Sequence, residues 1–522
     1  MDVSFRKLTA WHAALGVLIL LGLLLRLKGI HDPLLDHPGW RQGDTAAIAR
    51  NFATLDLNPF HPQVDYDGPP PNYVELELQI VPFLAAILYK IFGVHPVLGR
   101  LISIGFSLIN VVLLAYFARR LFRSEIAGLA AAALFAIYPG SVYYGRTFTP
   151  DTAMVAFATA ALYASFSWLV DDSPKGRRGF WLASGATALA ILAKPVAAIV
   201  LVPIVALAVW RYGWRGALTH PSLWGFLAVA LAPYLAYDAY LRSIAEWNWA
   251  SGITAKHVLP ELLAASKSWP GLAHKFGQFN EALAMLHATI LGSIGFVLLL
   301  VSIVVPVRTE ARVLLASYFV TLLAYTYVVV TVERVDYYLY LWIPLAALWT
   351  GGFVGRIAEW LGPDNLWNRG VFALAGVVFA AMVLLSRAEV HGYYHFNPGV
   401  YETARALDAS LPPGILVVMA HYDPSVLYYI DRKGWEEDPL LWTPFDEESA
   451  IRKGARAFIS IEDARLRRNV DLCTWLERFP LAPHSLGWPV YETDPAKVKP
   501  GAEARWQAVR KRELAGKAGT CR

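Results

Sequence analysis

The chain has 522 residues, of which 56% are hydrophobic, a formal net charge of +5 and two cysteines. Its mean hydropathy of +0.41 is too high for a soluble globular protein. Apolar segments recur that are long enough to cross a hydrocarbon core of ~30 Å. The composition therefore predicts a multi-span membrane protein. The positive charge does not indicate nucleic-acid binding, because the basic residues lie in short loops between apolar segments, and two cysteines exclude a cysteine-rich metal site.

Eleven apolar segments are predicted to span the membrane as helices. They cover residues 10–28, 97–118, 126–144, 152–170, 180–193, 195–211, 223–242, 286–306, 312–331, 338–358 and 369–386. The first has a basic flank like a signal peptide but no small-residue cleavage site, so we expect a retained anchor.

The basic loops set the orientation of these spans. Alternation places all of them on one side, as is typical of cytoplasmic loops. These loops are 119–123, 175–178, 211–215, 308–312 and 356–369. The odd number of spans then puts the C-terminal region, residues 391–522, on the outer face. The apolar segment 80–92 is expected to lie at the membrane surface. If it inserts instead, together with a compensating re-entrant segment, the chain would have thirteen spans, and this alternative stays open.

The C-terminal region differs in kind from residues 1–390, the predicted transmembrane domain. Residues 415–420 and 457–461 are short apolar runs typical of buried strands, and helical patterns lie around them. The alternation predicts a small α/β domain with a charged tail from Lys497 onward. Cys473 and Cys521 both fall in this region, and an oxidising compartment would allow them to pair.

A charged stretch, residues 36–52, directly follows the first apolar segment. Helical spacing of its apolar residues predicts a short amphipathic helix over about 45–57 on the membrane surface. Asp44 precedes that helix, where a carboxylate caps the first turn. A carboxylate and arginines at an interface suit a polar reaction on a lipid-borne substrate. The alternative makes Asp44 a cap and Arg41 a headgroup anchor.

Two other outer segments carry candidate residues. Asp151 follows Pro150 at a predicted helix start, and Arg146 precedes both in the same turn; a first-turn charge is the structural alternative for Asp151. Glu75 and Glu77 would share one face of an extended segment, as an acid/base pair or metal ligands require. A solvated surface pair is the alternative there. The outer-loop histidines lack characteristic metal-ligand spacing, and no nucleotide-binding motif is present.

The stretch Trp40-Arg41-Gln42-Gly43-Asp44-Thr45-Ala46-Ala47-Ile48-Ala49-Arg50-Asn51-Phe52 resembles the first-outer-loop motif of bacterial GT-C glycosyltransferases. The nearest group is the protein O-mannosyltransferase / aminoarabinose transferase superfamily. Similar stretches follow in the expected order at 73–77 with 88–93, 145–151, 192–195 and 336–344. The resemblance covers about residues 1–390. It departs where Arg41-Gln42 replaces an Asp-Glu pair and where Glu77 replaces a phosphate-binding lysine.

The resemblance implies an inverting glycosyltransferase at the periplasmic face of a bacterial inner membrane. It would move a monosaccharide from an undecaprenyl-phosphate carrier to a lipid, glycan or protein acceptor, and the C-terminal α/β domain would be periplasmic. We assign the reaction to outer-loop residues. They are Asp44 as the base, Asp151 to orient the acceptor or an ion, Arg41, Arg146 and Arg334 for the leaving phosphate, and Glu75 and Glu77 for the acceptor or an ion. A divalent metal ion stays open as a cofactor.

A transporter or flippase of lipid-linked sugars is the rival function. Transporters place ionisable groups near the membrane midplane. Here the ionisable residues lie at the outer ends of the predicted spans, in the first outer loop, residues 29–96, and in the turns that face it. Mid-span positions are almost wholly apolar, which favours the enzyme.

Overall fold

The computed structural model describes residues 2–170, 176–361, 366–483, 487–515 and 521. Lys175 and residues 362–365, which belong to two of the predicted basic loops, lie outside the described residues.

The first half of the chain is helical apart from two short strands. Its elements are α1 (Asp2–Arg26), α2 (Gly39–Thr54), β1 (Val74–Glu75), α3 (Ile80–Phe92), α4 (Pro96–Phe122), α5 (Glu125–Ile137), α6 (Pro139–Tyr144), α7 (Asp151–Val170), α8 (Gly176–Ala193), α9 (Leu201–Thr219), α10 (Pro221–Ile244), β2 (Trp247–Asn248), α11 (Ala250–Ile253) and α12 (Leu259–Ser266).

The second half continues the helices and ends in a mixed region. Its elements are α13 (Trp269–Met285), α14 (Gly292–Ile303), α15 (Thr309–Tyr325), α16 (Thr331–Glu333), α17 (Trp342–Leu361), α18 (Leu366–Glu389), α19 (Pro398–Ser410), β3 (Leu416–Met419), α20 (Pro424–Ile430), β4 (Lys433–Glu436), α21 (Pro444–Arg452), β5 (Ala455–Ile459), α22 (Asp463–Leu466), α23 (Val470–Leu476), β6 (Val490–Tyr491) and α24 (Ala502–Leu514).

Every predicted span is helical over most of its length, because a chain in hydrocarbon must satisfy its backbone hydrogen bonds internally. Among the described residues, five helices are long and apolar enough to cross a membrane, or up to seven if two bent pairs each count as one span. Other predicted spans are shorter or broken; α14 is bent by 112° from the helix before it. The count of eleven spans therefore stays a prediction.

Small residues let the central helices approach closely. Gly351 and Gly355 on α17 face Ala127 and Ala131 on α5, and a Cβ built at Gly351 would lie 2.8 Å from the carbonyl oxygen of Ala127. Such contacts favour helix association in membranes, where apolar burial alone gives no driving force between helices.

Helix α2 differs from the predicted surface helix. It begins at Gly39 rather than near residue 45, and most of its residues are buried. Asp44 therefore lies inside the helix and does not cap it. The reason is tertiary, because α2 packs between α3 and α20. At the contact with α20, a Cβ on Gly43 would lie 2.3 Å from the Cα of Ser425, so this position requires glycine.

The C-terminal region contains the predicted α/β arrangement. Its four-stranded sheet has the order β4-β3-β5-β6, with β3 parallel to both neighbours and β6 antiparallel to β5. Strands β3 and β5 match the two predicted apolar runs within two residues. Strand β4 was not predicted, because its sequence Lys-Gly-Trp-Glu has no strand-like alternation. Cys473 and Cys521 form the expected disulfide.

The loops predicted to share the outer face meet in space. Strand β1 of the first outer loop pairs with β2, which follows α10. His37 Nε2 of the same loop lies 3.0 Å from Asp336 Oδ1. The C-terminal region packs onto this loop through α20 and α2. The candidate site lies between these layers.

Candidate active site

A cavity of about 440 Å³ lies between the first outer loop, the loop turns of the helical bundle and the C-terminal region. Its lining combines ionisable and aromatic side chains. The ionisable ones are Arg41, Asp44, Glu77, Lys194, His257, Glu333 and Glu436, and the aromatic ones are Trp40, Tyr66, Trp249, Tyr337, Tyr338 and Tyr422. Mostly apolar walls with a few converging charges are typical of small-molecule sites.

Asp44 is presented to this cavity by α2, with its side chain held from two sides. Arg41 stands one helical turn earlier, where i,i+3 side chains meet, and its Nη1 donates to Asp44 Oδ2 at 3.0 Å. Tyr66 of the first outer loop donates its hydroxyl to Asp44 Oδ1 at 3.3 Å. Arg41 also pairs with Glu77, so one guanidinium serves two carboxylates.

Burial changes the acid strength of Asp44. It raises the pKa of this carboxyl to about 6, and Glu77 adds to the rise while Arg41 opposes it. The carboxylate is therefore a stronger base than an ordinary aspartate but is still ionised at neutral pH. A pKa near the working pH is what an efficient general base requires.

Lys194 supplies a cation to the same cavity. It follows α8, and its Nζ donates to Asp151 Oδ1 at 2.7 Å. The ammonium group lies over the rings of Tyr337 and Tyr338, at 4.8 and 4.4 Å from their centroids. Lys194 lies in one of the stretches that resemble the family, but the sequence analysis did not assign it a role. Its position in an outer turn between two predicted spans was the sequence signal that could have identified it. Asp151 starts α7 as predicted, is buried and does not line the cavity.

Arg146 does not lie where the sequence analysis expected a phosphate-binding residue. Its guanidinium is fully buried, pairs with Asp36 and donates to the carbonyl of Gly29 at 3.1 Å. Arg100 holds the other oxygen of Asp36 at 2.8 Å. A buried ion pair of this kind stabilises the packing of the loop, and Arg146 is not among the residues that line the cavity.

The remaining expected residues divide between the cavity and its surroundings. Glu77 lines the cavity, whereas Glu75 does not; Glu75 is buried in β1 and lies 3.9 Å from Arg242. The two glutamates therefore do not form a shared ligand pair. Arg334 is exposed in a left-handed backbone conformation, between the cavity residues Glu333 and Val335.

The C-terminal region contributes Tyr422, Pro424 and Glu436 to the cavity, none of which the sequence analysis proposed. Burial raises the pKa of Glu436 well above its usual range, and the charges of Asp67, Asp423 and Asp44 add to this. No sequence signal marks these residues, because only the docking of this region onto α2 brings them to the site.

The geometry of possible donor atoms indicates where a metal ion could bind. Among the described residues, one group of His, Cys, Asp or Glu side chains is close enough to share an ion: Cys473, Glu477 and Cys521. That group lies in the C-terminal region, and its cysteines are bonded to each other. Within the described part of the chain, the carboxylates that line the cavity are not in such a group.

Three comparisons place the chain among known proteins. The family model described as dolichyl-phosphate-mannose-protein mannosyltransferase matches residues 79–237. No curated protein sequence matches the chain significantly.

Solved structures match over nearly the whole chain. ArnT from Cupriavidus metallidurans in the apo state has a TM-score of 0.61 at 12% identity and covers 95% of this chain and 100% of its own. The same protein bound to undecaprenyl phosphate has a TM-score of 0.58 at 13% identity, covering 96% and 100%. The arabinofuranosyltransferase AftD from Mycobacteria has a TM-score of 0.50 at 14% identity, covering 85% of this chain and 36% of its own. At these identities the likeness establishes the fold.

Proposed function

From its GT-C glycosyltransferase fold, which confirms the resemblance in the sequence, we propose that the chain is an inverting glycosyltransferase. Its donor is a monosaccharide on a polyprenyl-phosphate carrier, and its acceptor is a hydroxyl group of a lipid, glycan or protein. The reaction takes place at the periplasmic face of a bacterial inner membrane. The observation that carries the proposal is one cavity in which a buried base, Asp44, and a cation, Lys194, both reach the interior.

Asp44 is the general base of this mechanism. Its carboxylate takes the proton of the acceptor hydroxyl, and the acceptor oxygen forms a bond to the anomeric carbon of the sugar. The bond between that carbon and the phosphate oxygen breaks on the opposite face, which inverts the anomeric configuration. Asp44 then releases the proton to water. The raised pKa of Asp44 supports this role, because a stronger base takes the proton more readily.

Lys194 and Arg41 receive the leaving phosphate. The carrier phosphate gains a negative charge when the sugar leaves, so fixed cations stabilise the transition state more than the bound donor. Lys194 lies in the cavity wall, and its charge is only partly balanced by one oxygen of Asp151. One of the solved ArnT structures that resemble this chain has undecaprenyl phosphate bound, which supports a carrier of this class.

The other expected residues receive supporting roles in this mechanism. Asp151 positions Lys194 instead of the acceptor, and Glu77 positions Arg41. Arg146 stabilises the fold with Asp36. Arg334, at the exposed edge of the site, attracts the charged headgroup of the donor at the membrane surface.

The test is a transfer assay on the purified chain in detergent. A strain that lacks the protein is expected to accumulate both substrates, so its extract of lipids, glycans and membrane proteins serves as the substrate mixture. Addition of the chain is expected to convert a component whose mass rises by one sugar, detected by mass spectrometry, and to release undecaprenyl phosphate. Micelles have no two sides, so a flippase would produce no new bond. Folded protein without transfer would overturn the proposed function.

A further inference from the structure

We propose that Glu436 is an acceptor-binding residue, supplied by the C-terminal region, whose protonated carboxyl donates a hydrogen bond to an oxygen of the acceptor. This inference rests on the proposed glycosyltransferase function and adds to it. It assigns the C-terminal region a part in choosing the acceptor, while the bundle and the first outer loop handle the donor.

The side chain of Glu436 lies in the cavity wall, and one of its carboxyl oxygens lacks a hydrogen-bond partner among the described residues. The residue is 8% exposed, and it lines the same cavity as Asp44 and Tyr422. Within the described part of the chain, its Oε2 is buried and has no hydrogen-bond partner. Buried polar atoms are nearly always paired, so an unpaired one in a cavity wall indicates a partner that comes from the ligand.

The backbone holds Glu436 in a defined position relative to the first outer loop. Strand β4 pairs with β3, in the register Met419 opposite Glu436. Two residues earlier, the N–H of Gly434 donates to the carbonyl of Asp65 at 2.9 Å, and its own carbonyl accepts from the N–H of Gly68 at 2.8 Å. Gly434 has a φ of +150°, and a Cβ there would lie 1.9 Å from the carbonyl oxygen of Val417. Both strand and loop therefore fix the backbone that carries this carboxyl, as a binding group requires.

Burial and the charges around Glu436 raise its pKa and so favour its protonated form. The charges that act on it most strongly in the described chain are those of Asp67, Asp423, Asp44 and Glu437, and all four are acidic. Burial also raises the pKa of the neighbouring Asp67, to about 6. Ionised Asp44 further disfavours a negative charge on Glu436. A neutral carboxyl has an O–H and donates a hydrogen bond, which a carboxylate cannot do.

The sign of this wall indicates which substrate it meets. The donor phosphate is anionic and is expected at Lys194 and Arg41. The ionised carboxylates around Glu436 repel it, so we infer that Glu436 faces the acceptor. The same repulsion means that the part of the acceptor at this wall is a hydroxyl-bearing segment without phosphate or carboxylate groups. We expect an oxygen of that segment to accept from Glu436 while its hydroxyl proton goes to Asp44.

The experiment compares Glu436→Ala with Glu436→Gln in the purified full-length chain. The deletion-strain extract is titrated by dilution to give an apparent KM, and undecaprenyl phosphate binding is measured separately. Alanine is expected to raise the apparent KM about 5- to 10-fold, the factor of a single neutral hydrogen bond. Glutamine keeps a neutral donor and is expected to raise it about 2-fold or less. Undecaprenyl phosphate binding is expected to change less than about 2-fold in both, because the carrier site lies at Lys194.

Controls separate this inference from the function on which it rests. Glu402→Ala removes an exposed glutamate of the same region and is expected to match the wild type. Glu436→Met, which keeps the side-chain volume, replaces the alanine variant if the melting curve of the latter is lowered. Transfer by the wild type with an unchanged KM in Glu436→Ala would overturn the inference alone, as would equal losses in the glutamine and alanine variants. Folded wild type without transfer would overturn both.

Discussion

Two aspartates of the first outer loop look alike in the sequence but have different surroundings in the structure. Asp36 is fully buried, and each of its oxygens faces an arginine: Arg100 at 2.8 Å on one side and Arg146 on the other. Asp44 lines a cavity and has Arg41 as its charged partner, at 3.0 Å. That arginine is shared with Glu77.

The difference lies in how completely each charge is balanced. Two arginines neutralise Asp36 with no space left for a substrate, so this cluster stabilises the packing of the loop on the bundle. Asp44 has an incompletely balanced charge next to open space, and its pKa rises to about 6. Chemistry is expected where a buried charge is left partly unpaired beside a cavity.

The largest expected effect is on turnover in Asp44→Asn. Asparagine keeps the size but loses the basicity, so turnover is expected to fall by about 10²–10⁴, the typical contribution of a general base. The melting temperature is expected to be no lower than that of the wild type, because the raised pKa means that ionised Asp44 costs stability at neutral pH. Purified variants are assayed on the deletion-strain extract, with melting curves measured alongside.

The pH profile supplies the control for this assignment. The base acts when ionised, so kcat/KM is expected to rise with pH through about 6 and then level off. Glu77→Gln is the matched variant in the same cavity, and it is expected to keep this limb. Near-normal turnover in Asp44→Asn would move the base to Glu77. So would a Glu77→Gln variant whose residual kcat/KM is low and no longer rises with pH.

The next effect is on folding in Asp36→Asn. The structure predicts a large loss of stability at this position. Loss of one partner from a buried ion-pair cluster costs about 3–5 kcal/mol, because it leaves buried arginines uncompensated. The yield of folded protein and its melting temperature are measured against Asp56→Asn, whose side chain is 41% exposed. A wild-type melting curve in Asp36→Asn would contradict the structural role of this cluster.

A smaller effect is expected on carrier binding in Lys194→Met. A charge-assisted hydrogen bond contributes ~1.5–3 kcal/mol, so affinity for undecaprenyl phosphate is expected to fall about 10- to 100-fold. Because this change leaves Asp151 without its cation, the double variant with Asp151→Asn restores neutrality and is expected to bind as weakly. If the single and the double variant bind undecaprenyl phosphate like the wild type, and a folded Arg146→Met binds it more weakly, the phosphate site lies at Arg146 instead.

The smallest effect concerns Glu447, whose carboxyl is buried. In the described chain, no cation is among its hydrogen-bond and charge partners. Burial raises its pKa to about 8, and Trp442 Nε1 donates to it at 2.9 Å. A raised pKa means that stability declines as pH rises from the ordinary glutamate value of 4.5 toward 8. Glu447→Gln removes this decline, so its melting temperature relative to the wild type is expected to increase by several °C over that range. Glu448→Gln, a half-buried neighbour, is the control; a constant difference across pH would contradict the buried state of Glu447.

Much of the fold follows from the sequence for a simple physical reason. Long apolar runs have one way to satisfy their backbone in hydrocarbon, so helices were predictable at every proposed span even though their breaks were not. Strands β3 and β5 were readable from their short apolar runs. Asp44 was identified by its place in the charged stretch after the first span, and the pairing of Cys473 with Cys521 by their compartment.

Only the tertiary structure decided which charges meet. Arg146 and Lys194 both lie in outer turns between spans, yet one is buried against Asp36 and the other enters the cavity. Glu436 reaches the site from a region far along the chain. These outcomes depend on packing between segments that are distant in sequence, and local pattern has no information on what a side chain will face. Burial then changes the acid strength of these side chains, which raises the pKa of Asp44 and of Glu436.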